Sequence, residues 1–150
     1  MIQHNNKIVL IAGGGTGGHL FPAIAIGEEF EKNGFEVKYI GSKHGIEKEL
    51  FKKFNLNYYL MDITGIQRNF SLRSIITNLI FPLRFLIAYI KSIILLRSIK
   101  PSIIIGTGGY ASGVPLIAGL HLKIPTLIQD QNSIPGLITK KLNKKVDKIC

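Results

Sequence analysis

The chain has 150 residues, of which 46% are hydrophobic and 19% charged, and it contains a single cysteine. This length allows one domain with a substantial core, and the apolar content excludes an intrinsically disordered chain. One cysteine excludes a disulfide framework and a cysteine-based zinc site, and it is consistent with a reducing compartment. With 19 Lys and Arg against 9 Asp and Glu, the formal charge is +10. Anionic partners are therefore expected: a phosphorylated ligand, a polyanion or an acidic membrane.

Apolar runs that end in glycine or polar loops alternate with helical patterns along the chain. Strands alternating with helices predict a parallel sheet covered on both faces, which is a doubly wound, Rossmann-like α/β fold. In such a sheet ligands bind outside the carboxyl ends of the strands, so the loops after the first, fourth and fifth strands form the candidate site. The predicted order is strand 7–12, helix 22–33, strand 36–40, helix 47–54, strand 58–63, helix 72–98, strand 102–105, helix 114–122, strand 126–129, helix 137–143 and strand 146–150.

The loop after the first strand reads Gly-Gly-Gly-Thr-Gly-Gly-His over 13–19. Glycines let the backbone turn sharply and approach a ligand, and the following helix N-terminus offers free N–H groups to an anion. The pattern also fits G-x-G-x-x-G, but the second strand ends without the acid that a dinucleotide ribose requires. No Lys-Ser/Thr pair of a Walker loop follows either. An anion-binding loop is predicted, and a tight turn without a ligand is the alternative.

His19 stands where this loop becomes a helix. A histidine beside a ligand-binding loop is a candidate general base, and the alternative is a residue that only orients the loop. The four histidines include no pair with metal-ligand spacing, so no metal site is predicted.

Two further loops favour the same edge of the sheet. The one at 106–113 is glycine-rich and can form a nest of backbone N–H groups for a phosphate, with Tyr110 as an aromatic wall or a hydroxyl. The one at 129–136 begins Gln-Asp-Gln-Asn, which suits a ligand rich in hydroxyls and amides, such as a sugar. Ordinary polar loops are the alternative for both.

The long helix at 72–98 carries only a narrow polar stripe and is otherwise apolar. Apolar surface rimmed by bases favours an interfacial contact with a membrane, and burial between layers is the alternative. Asn78, Pro82, Arg84 and Lys91 interrupt the apolar run, so a membrane-spanning helix is not expected. No secretory signal is visible at the amino terminus.

Three groups of residues together resemble the MurG family of peptidoglycan N-acetylglucosaminyltransferases. They are Gly14–His19 with Pro22, Gly108–Tyr110 with Ser112 and Gly113, and Gln131-Asn132 with Pro135 and Gly136. The resemblance covers nearly the whole chain. It implies that residues 1–150 are the amino-terminal, acceptor-binding and membrane-associating half of a two-domain GT-B fold. The carboxyl-terminal half, which binds the donor UDP-GlcNAc, is absent from this chain.

The resemblance also implies an activity. The family moves GlcNAc from UDP-GlcNAc to the 4-hydroxyl of MurNAc in undecaprenyl-pyrophosphoryl-MurNAc-pentapeptide, converting lipid I to lipid II. The anomeric centre is inverted, and no cofactor or protein-bound metal takes part. The enzyme would be peripheral, on the cytoplasmic face of the bacterial membrane. Without a donor half the chain would be inactive, so it is expected to be a fragment or to meet a partner chain that supplies that half.

By the same resemblance His19 is the catalytic base or a substrate contact, and the glycine loops take the pyrophosphate of the acceptor. One departure is Gln129-Asp130 where the family usually has His-Glu, which leaves the carboxylate one methylene shorter. The implied substrate-binding residues are Gly14, Gly15, Thr16, Gly17, Gly18, Gly108, Gly109, Tyr110, Ser112, Asp130, Gln131 and Asn132. The implied membrane patch is Leu79, Leu83, Arg84, Leu86, Tyr89 and Lys91.

Two other functions stay open. A non-enzymatic anchor could recruit a catalytic chain to the membrane, although both glycine loops and His19 would then have no role. A nucleotide-binding domain of an oxidoreductase is disfavoured by the missing acid after the second strand. Nucleic-acid binding is not expected, because only the net charge suggests it.

Overall fold

The computed structural model describes residues 7–65 and 71–150, except the side chains at 73 and 74. Part of the predicted loop at 64–71 therefore lies outside the described residues. The elements are β1 Ile8–Ala12, α1 Gly17–Lys32, β2 Glu36–Ser42, α2 Glu47–Lys53, β3 Tyr58–Met61, α3 Leu72–Ile99, β4 Ile103–Gly106, α4 Tyr110–His121, β5 Thr126–Ile128, α5 Leu137–Leu142 and β6 Lys148–Ile149.

These strands form one parallel sheet in the order β3-β2-β1-β4-β5-β6. This order confirms the predicted Rossmann-like fold. Successive strands are added on one side of β1 up to β3 and on its other side from β4 onward. The strand order therefore reverses between β1 and β4, where Ala12 pairs with Gly106. The loops that follow these two strands are therefore neighbours in space, although about ninety residues separate them in sequence.

Helices cover both faces of the sheet. The strand residues alternate between two core layers, which explains why each strand reads as a continuous apolar run. Val9, Ile11 and Tyr39 face α1 and α2. Leu10 and Ile40 face the side of α3, α4 and α5, whose buried contributions include Ala88, Leu96, Val114, Leu116 and Leu142.

Two helices begin earlier than predicted. α1 begins at Gly17 rather than 22, and α4 begins at Tyr110 rather than 114. In both cases the predicted helix began at a proline or at the residue before one, because proline is best tolerated in the first turn of a helix. Here Pro22 and Pro115 are each the sixth residue of their helix, so the glycine-rich segments before them already form the first helical turn. The histidine and tyrosine of the candidate site are thus held on helices and not on loops.

Candidate functional site

The two glycine loops at the switch point pack directly against each other. The Thr107 N–H donates to the Ala12 carbonyl at 2.9 Å, and the Thr107 hydroxyl donates to the His19 carbonyl at 2.8 Å. A side chain on Gly109 would collide with the Gly14 carbonyl. The loop after β4 is therefore fastened to the loop after β1 and to the first turn of α1.

Gly108 needs to be glycine for two reasons. Its φ of 92° lies in the left-handed region that side chains rarely adopt. In addition, a Cβ atom there would lie 2.7 Å from Nδ1 of His19. The backbone of the second loop therefore forms the wall against which the imidazole lies.

The imidazole of His19 is held at one nitrogen. Its Nδ1 lies 3.0 Å from the Thr107 carbonyl oxygen and 3.0 Å from Nε2 of Gln131. The Thr107 carbonyl can only accept a hydrogen bond and the Gln131 amide nitrogen can only donate one, so the two contacts favour opposite protonation states of Nδ1. In the tautomer that the Thr107 contact requires, the proton is on Nδ1 and the lone pair on Nε2. The ring lines the cavity described below. In that tautomer Nε2 is the atom able to accept a proton from a bound hydroxyl.

Gln131 joins the third loop to the first turn of α1. Its Nε2 donates to the Gly18 carbonyl. That carbonyl would receive the N–H of residue 22 in a regular helix, but residue 22 is proline and has none. The side chain of Gln131 thus takes the place of a missing helical donor and fixes the β5 loop beside His19.

The Asp130 carboxylate organises the third loop. Oδ1 accepts from the backbone and side-chain N–H groups of Asn132, while Oδ2 accepts from the Gly136 N–H and, at 2.6 Å, from the Thr139 hydroxyl. Burial would raise the pKa of Asp130, but these hydrogen bonds outweigh it and lower the pKa to about 2. The group is therefore an ionised anchor with both oxygens engaged.

A cavity of about 350 Å³ opens at this edge of the sheet, between the loops and the helices α3, α4 and α5. One part of its lining is polar and includes His19, Gly108 and Asn132. The other part is apolar and is formed by side chains of three helices: Phe81, Phe85, Val114, Ile117, Leu137 and Ile138. The cavity suits a ligand that joins a polar group to a hydrocarbon.

The predicted site residues occupy different places around this cavity. Those that line it are His19, Gly108, Gly109, Tyr110, Asp130 and Asn132. Gly14, Gly15, Thr16, Gly17, Gly18 and Gln131 lie in the adjoining turns, where Tyr110 packs over Gly15. Ser112 differs from the expected ligand contact, because it is fully buried and its hydroxyl donates to the Gly109 carbonyl at 2.9 Å. It stabilises the first turn of α4 from inside.

Sequence reasoning missed the contribution of β3 and α3 to the lining. Asp62 and Thr64 follow β3, and Phe81 and Phe85 lie on α3. The rule that selected the other loops, that ligands meet the carboxyl ends of strands, applies equally to β3 and could have found the first two. The aromatic pair carried no such signal within an apolar helix.

An acid does follow β2, but it is not available to a nucleotide. Glu47, in the first turn of α2, is fully buried, and its Oε1 accepts the Ser42 N–H at 3.0 Å. Side chains on Gly14 or Gly41 would collide with it. The carboxylate thus supports the first glycine loop from below and cannot reach a ribose, which disfavours the oxidoreductase alternative.

The outer face of α3 is apolar and exposed. Leu79 is 80% exposed, Leu83 60% and Leu86 52%, and Lys91 lies exposed beside them. Further exposed apolar residues on α3 are Leu72, Ile75, Ile76, Ile80, Ile87, Ile90 and Ile94. By length and composition alone, the 25-residue stretch Ile75–Ile99 is apolar enough to cross a membrane, with a mean hydropathy of 2.0 over an 18-residue window, whereas the charged residues within it had led us to expect no membrane-spanning helix. Its inner face, however, belongs to the core beside α4.

Two residues of the predicted membrane patch lie elsewhere. Tyr89 is half-buried and packs edge-on against His121, with 6.2 Å between ring centroids. Arg84 is half-buried and lines the cavity. The prediction that Tyr89 and Arg84 belong to the membrane patch is wrong for one reason. Both positions fall on the sides of α3 that turn toward α4 and the loops of the sheet, away from its outer face. Arg73 was predicted to belong to the narrow polar stripe of this helix, and its side chain lies outside the described residues.

Within residues 7–65 and 71–150, no three His, Cys, Asp or Glu side chains come together where they could hold a metal ion. The polar side chains that line the cavity instead carry an imidazole, an amide, hydroxyls, the guanidinium of Arg84 and the carboxylates of Asp62 and Asp130. This set suits the binding of an organic ligand by hydrogen bonds.

Comparison with known proteins identifies relatives. Residues 9–150 match the Glycosyltransferase family 28 N-terminal domain. The UDP-N-acetylglucosamine–N-acetylmuramyl-(pentapeptide) pyrophosphoryl-undecaprenol N-acetylglucosamine transferase of Listeria monocytogenes is 43% identical over 144 residues, covering 95% of this chain and 39% of that protein. The Bacillus subtilis protein of the same name is 38% identical over 144 residues with the same coverage. The chain thus spans about two fifths of the length of these relatives.

Solved structures agree with this placement. The crystal structure of MurG from Acinetobacter baumannii has a TM-score of 0.82 and 29% identity, over 96% of this chain and 41% of that one. A Streptomyces glycosyltransferase, SsfS6, has a TM-score of 0.62 at 15% identity and shows a shared fold only. The sheet order and these matches show the amino-terminal domain fold of GT-B glycosyltransferases. The chain therefore belongs to glycosyltransferase family 28 as an N-terminal domain of the MurG type.

Proposed function

We propose that this chain is the acceptor-binding half of a MurG-type N-acetylglucosaminyltransferase, which converts lipid I to lipid II in peptidoglycan synthesis. The observation that carries the proposal is His19, whose Nδ1 contacts the Thr107 carbonyl at 3.0 Å while its ring lines a cavity that is polar on one side and apolar on the other. An acceptor that joins a sugar to a lipid through a pyrophosphate has the same two-sided character.

In the proposed reaction the acceptor is held with its sugar at the polar side of the cavity. Nε2 of His19 accepts the proton of the 4-hydroxyl as the oxygen attacks the anomeric carbon of UDP-GlcNAc. The bond from that carbon to the UDP oxygen breaks, and UDP leaves with the bonding electrons. The Thr107 carbonyl stabilises the imidazolium that forms, because it accepts from the protonated Nδ1.

The donor site is proposed to come from a second half, which corresponds to the remainder of the relatives. That half is either a continuation of this chain or a partner chain. The outer face of α3 is proposed to lie on the anionic cytoplasmic surface of the bacterial membrane, where the exposed leucines contact acyl chains and the basic residues contact headgroups.

A transfer assay tests the proposal. The chain is incubated with radiolabelled UDP-GlcNAc and a lipid I analogue, with and without the separately expressed carboxyl-terminal half of the Listeria relative. Label transfer that requires both halves is the expected result. Absence of transfer, with both halves folded and vesicle binding intact, overturns the proposal and leaves the membrane-anchoring alternative.

A further inference from the structure

Arg84 lines the cavity with a charged side chain that has no role in the proposed reaction. Among the described residues it is the only lysine or arginine that lines the cavity. It stands on α3 between Phe81 and Phe85, and its side chain is half-buried. The sequence predicted a membrane contact for it, so the observed position calls for a different role.

Among the described residues, no carboxylate forms an ion pair with Arg84, although Asp62 interacts with its charge at longer range. Asp62 is paired with Nε2 of His44 at 2.6 Å. That hydrogen bond is the main cause of the lowered pKa of Asp62; burial opposes it, and the charges of Arg84 and Lys43 add to it. Asp130 has both oxygens engaged by its own loop and by Thr139 of α5. Across the described segments, no carboxylate lies within 4 Å of the Arg84 guanidinium.

The start of α4 adds positive potential at the same place. Gly109 is the residue before the first turn, and both it and Tyr110 line the cavity. The first turn of this 12-residue helix contains no acid that would neutralise its free N–H groups. An arginine and a helix N-terminus that share a cavity are the usual elements of a phosphate site, and arginine binds phosphate oxygens in a bidentate manner.

The surface beside Arg84 is hydrocarbon. The rings of Phe81 and Phe85 lie with centroids 6.1 Å apart, and Leu137 lines the cavity with them. A free phosphate or a sugar would leave this wall exposed to water. A phosphate group attached directly to an apolar chain would cover it, and burial of that chain would add binding energy.

We propose that Arg84 binds the diphosphate of a prenyl diphosphate, with the first isoprene units of its chain lying on Phe81 and Phe85. This inference rests on the proposed function, because it assigns the lipid-linked end of the acceptor to this part of the cavity. It makes Arg84 a binding residue for the acceptor and separates it from the membrane contact on the outer face of α3.

Equilibrium dialysis of the 150-residue chain with radiolabelled farnesyl diphosphate tests the assignment. Removal of a charged hydrogen-bond partner predicts that Arg84→Gln weakens binding about ten- to a hundredfold, with Arg84→Lys in between. Arg97→Gln is the matched control, since Arg97 is exposed on the same helix about 20 Å away and its replacement should leave binding unchanged. Thermal unfolding of each variant checks that it is folded.

Three further ligands distinguish the chemistry. Farnesol should bind weakly and equally to the native chain and to Arg84→Gln, and inorganic pyrophosphate should depend on Arg84 but bind less tightly than farnesyl diphosphate. If soluble MurNAc-pentapeptide loses affinity in Arg84→Gln while farnesyl diphosphate does not, Arg84 recognises a peptide carboxylate and the assignment is overturned. Unchanged farnesyl diphosphate binding in Arg84→Gln, or none by the native chain, also overturns it.

The outcome is separable from that of the proposed function. Transfer in the two-half assay together with Arg84-independent binding of farnesyl diphosphate refutes this inference alone. Arg84-dependent binding without any transfer refutes the proposed function and leaves a prenyl diphosphate site in place.

Discussion

The glycine loops after β1 and β4 and the outer face of α3 differ in how far their side chains and backbone groups are engaged by the rest of the protein. Around His19 the polar groups already have partners within the protein: Thr107, Gln131 and Asp130 each make specific hydrogen bonds. On the outer face of α3, Leu79, Leu83 and Leu86 are each more than half exposed within the described part of the chain. The first region is preorganised to orient a reacting group, whereas the second is suited to a surface that has no fixed shape.

The largest effect is expected in the preorganised region. In the assay with both halves, His19→Ala should lower turnover by roughly two to four orders of magnitude, because general-base catalysis contributes about that much. His121→Ala is the control, since His121 is exposed at the end of α4 and does not line the cavity. Near-normal turnover by His19→Ala would show that the imidazole only contacts the substrate.

A smaller effect is expected at the exposed region. Leu83→Glu combined with Leu86→Glu should reduce binding to anionic vesicles by about a hundredfold or more, because each buried leucine contributes roughly 1.5–3 kcal/mol. Co-sedimentation with vesicles measures this effect. Phe54→Glu is the matched control, because Phe54 is also exposed but follows α2 on the opposite face of the sheet. Equal binding by all three proteins would remove the outer face from any membrane contact.

The two sides of α3 provide a direct comparison of stability. Leu96→Ala should lower the free energy of unfolding by about 2–5 kcal/mol, because Leu96 is fully buried and its loss leaves a cavity. Leu83→Ala should change it by no more than about 0.5 kcal/mol, as is usual at exposed sites. Urea unfolding measures both. A large loss for Leu83→Ala would mean that the outer face is covered within the folded chain.

The loss of stability expected at Asp130 is smaller than that expected at Leu96. Asp130→Asn should cost about 1–3 kcal/mol at neutral pH, because hydrogen bonds to an ionised acceptor are lost. The pKa of Asp130 is about 2 in the folded chain and near 3.9 in an unfolded one, so its ionised form stabilises the fold above pH 4. This contribution falls as the pH drops from about 4 to 2. Urea unfolding at several pH values should therefore show the difference between native chain and variant narrowing over that range, and a constant difference would contradict the assignment.

Much of the fold could be predicted from the sequence, because each buried parallel strand is an apolar run that ends at glycine or a polar loop. The first residues of α1 and α4 could not be predicted, because a proline usually indicates the first turn of a helix. Pro22 and Pro115 instead lie in the second turn of their helices. The positions of His19 and Asn132 beside the cavity followed from the rule that ligands meet the carboxyl ends of strands. The position of Arg84 did not, because helical periodicity places it on the border between the two sides of α3 and only the packing against α4 decides which way it turns.

The contact between Gln131 and Gly18 also has a consequence for how the chain is synthesised. Its two residues are 113 positions apart, and the contact between His19 and Thr107 spans 88 positions. Long-range contacts of this kind form late, because the intervening chain must first be brought together. On the ribosome the glycine loop after β1 therefore emerges long before its partners, and a complete site exists only once the loop after β5 has left the exit tunnel. Incomplete nascent chains would thus carry the glycine-rich sequence without the ordered imidazole.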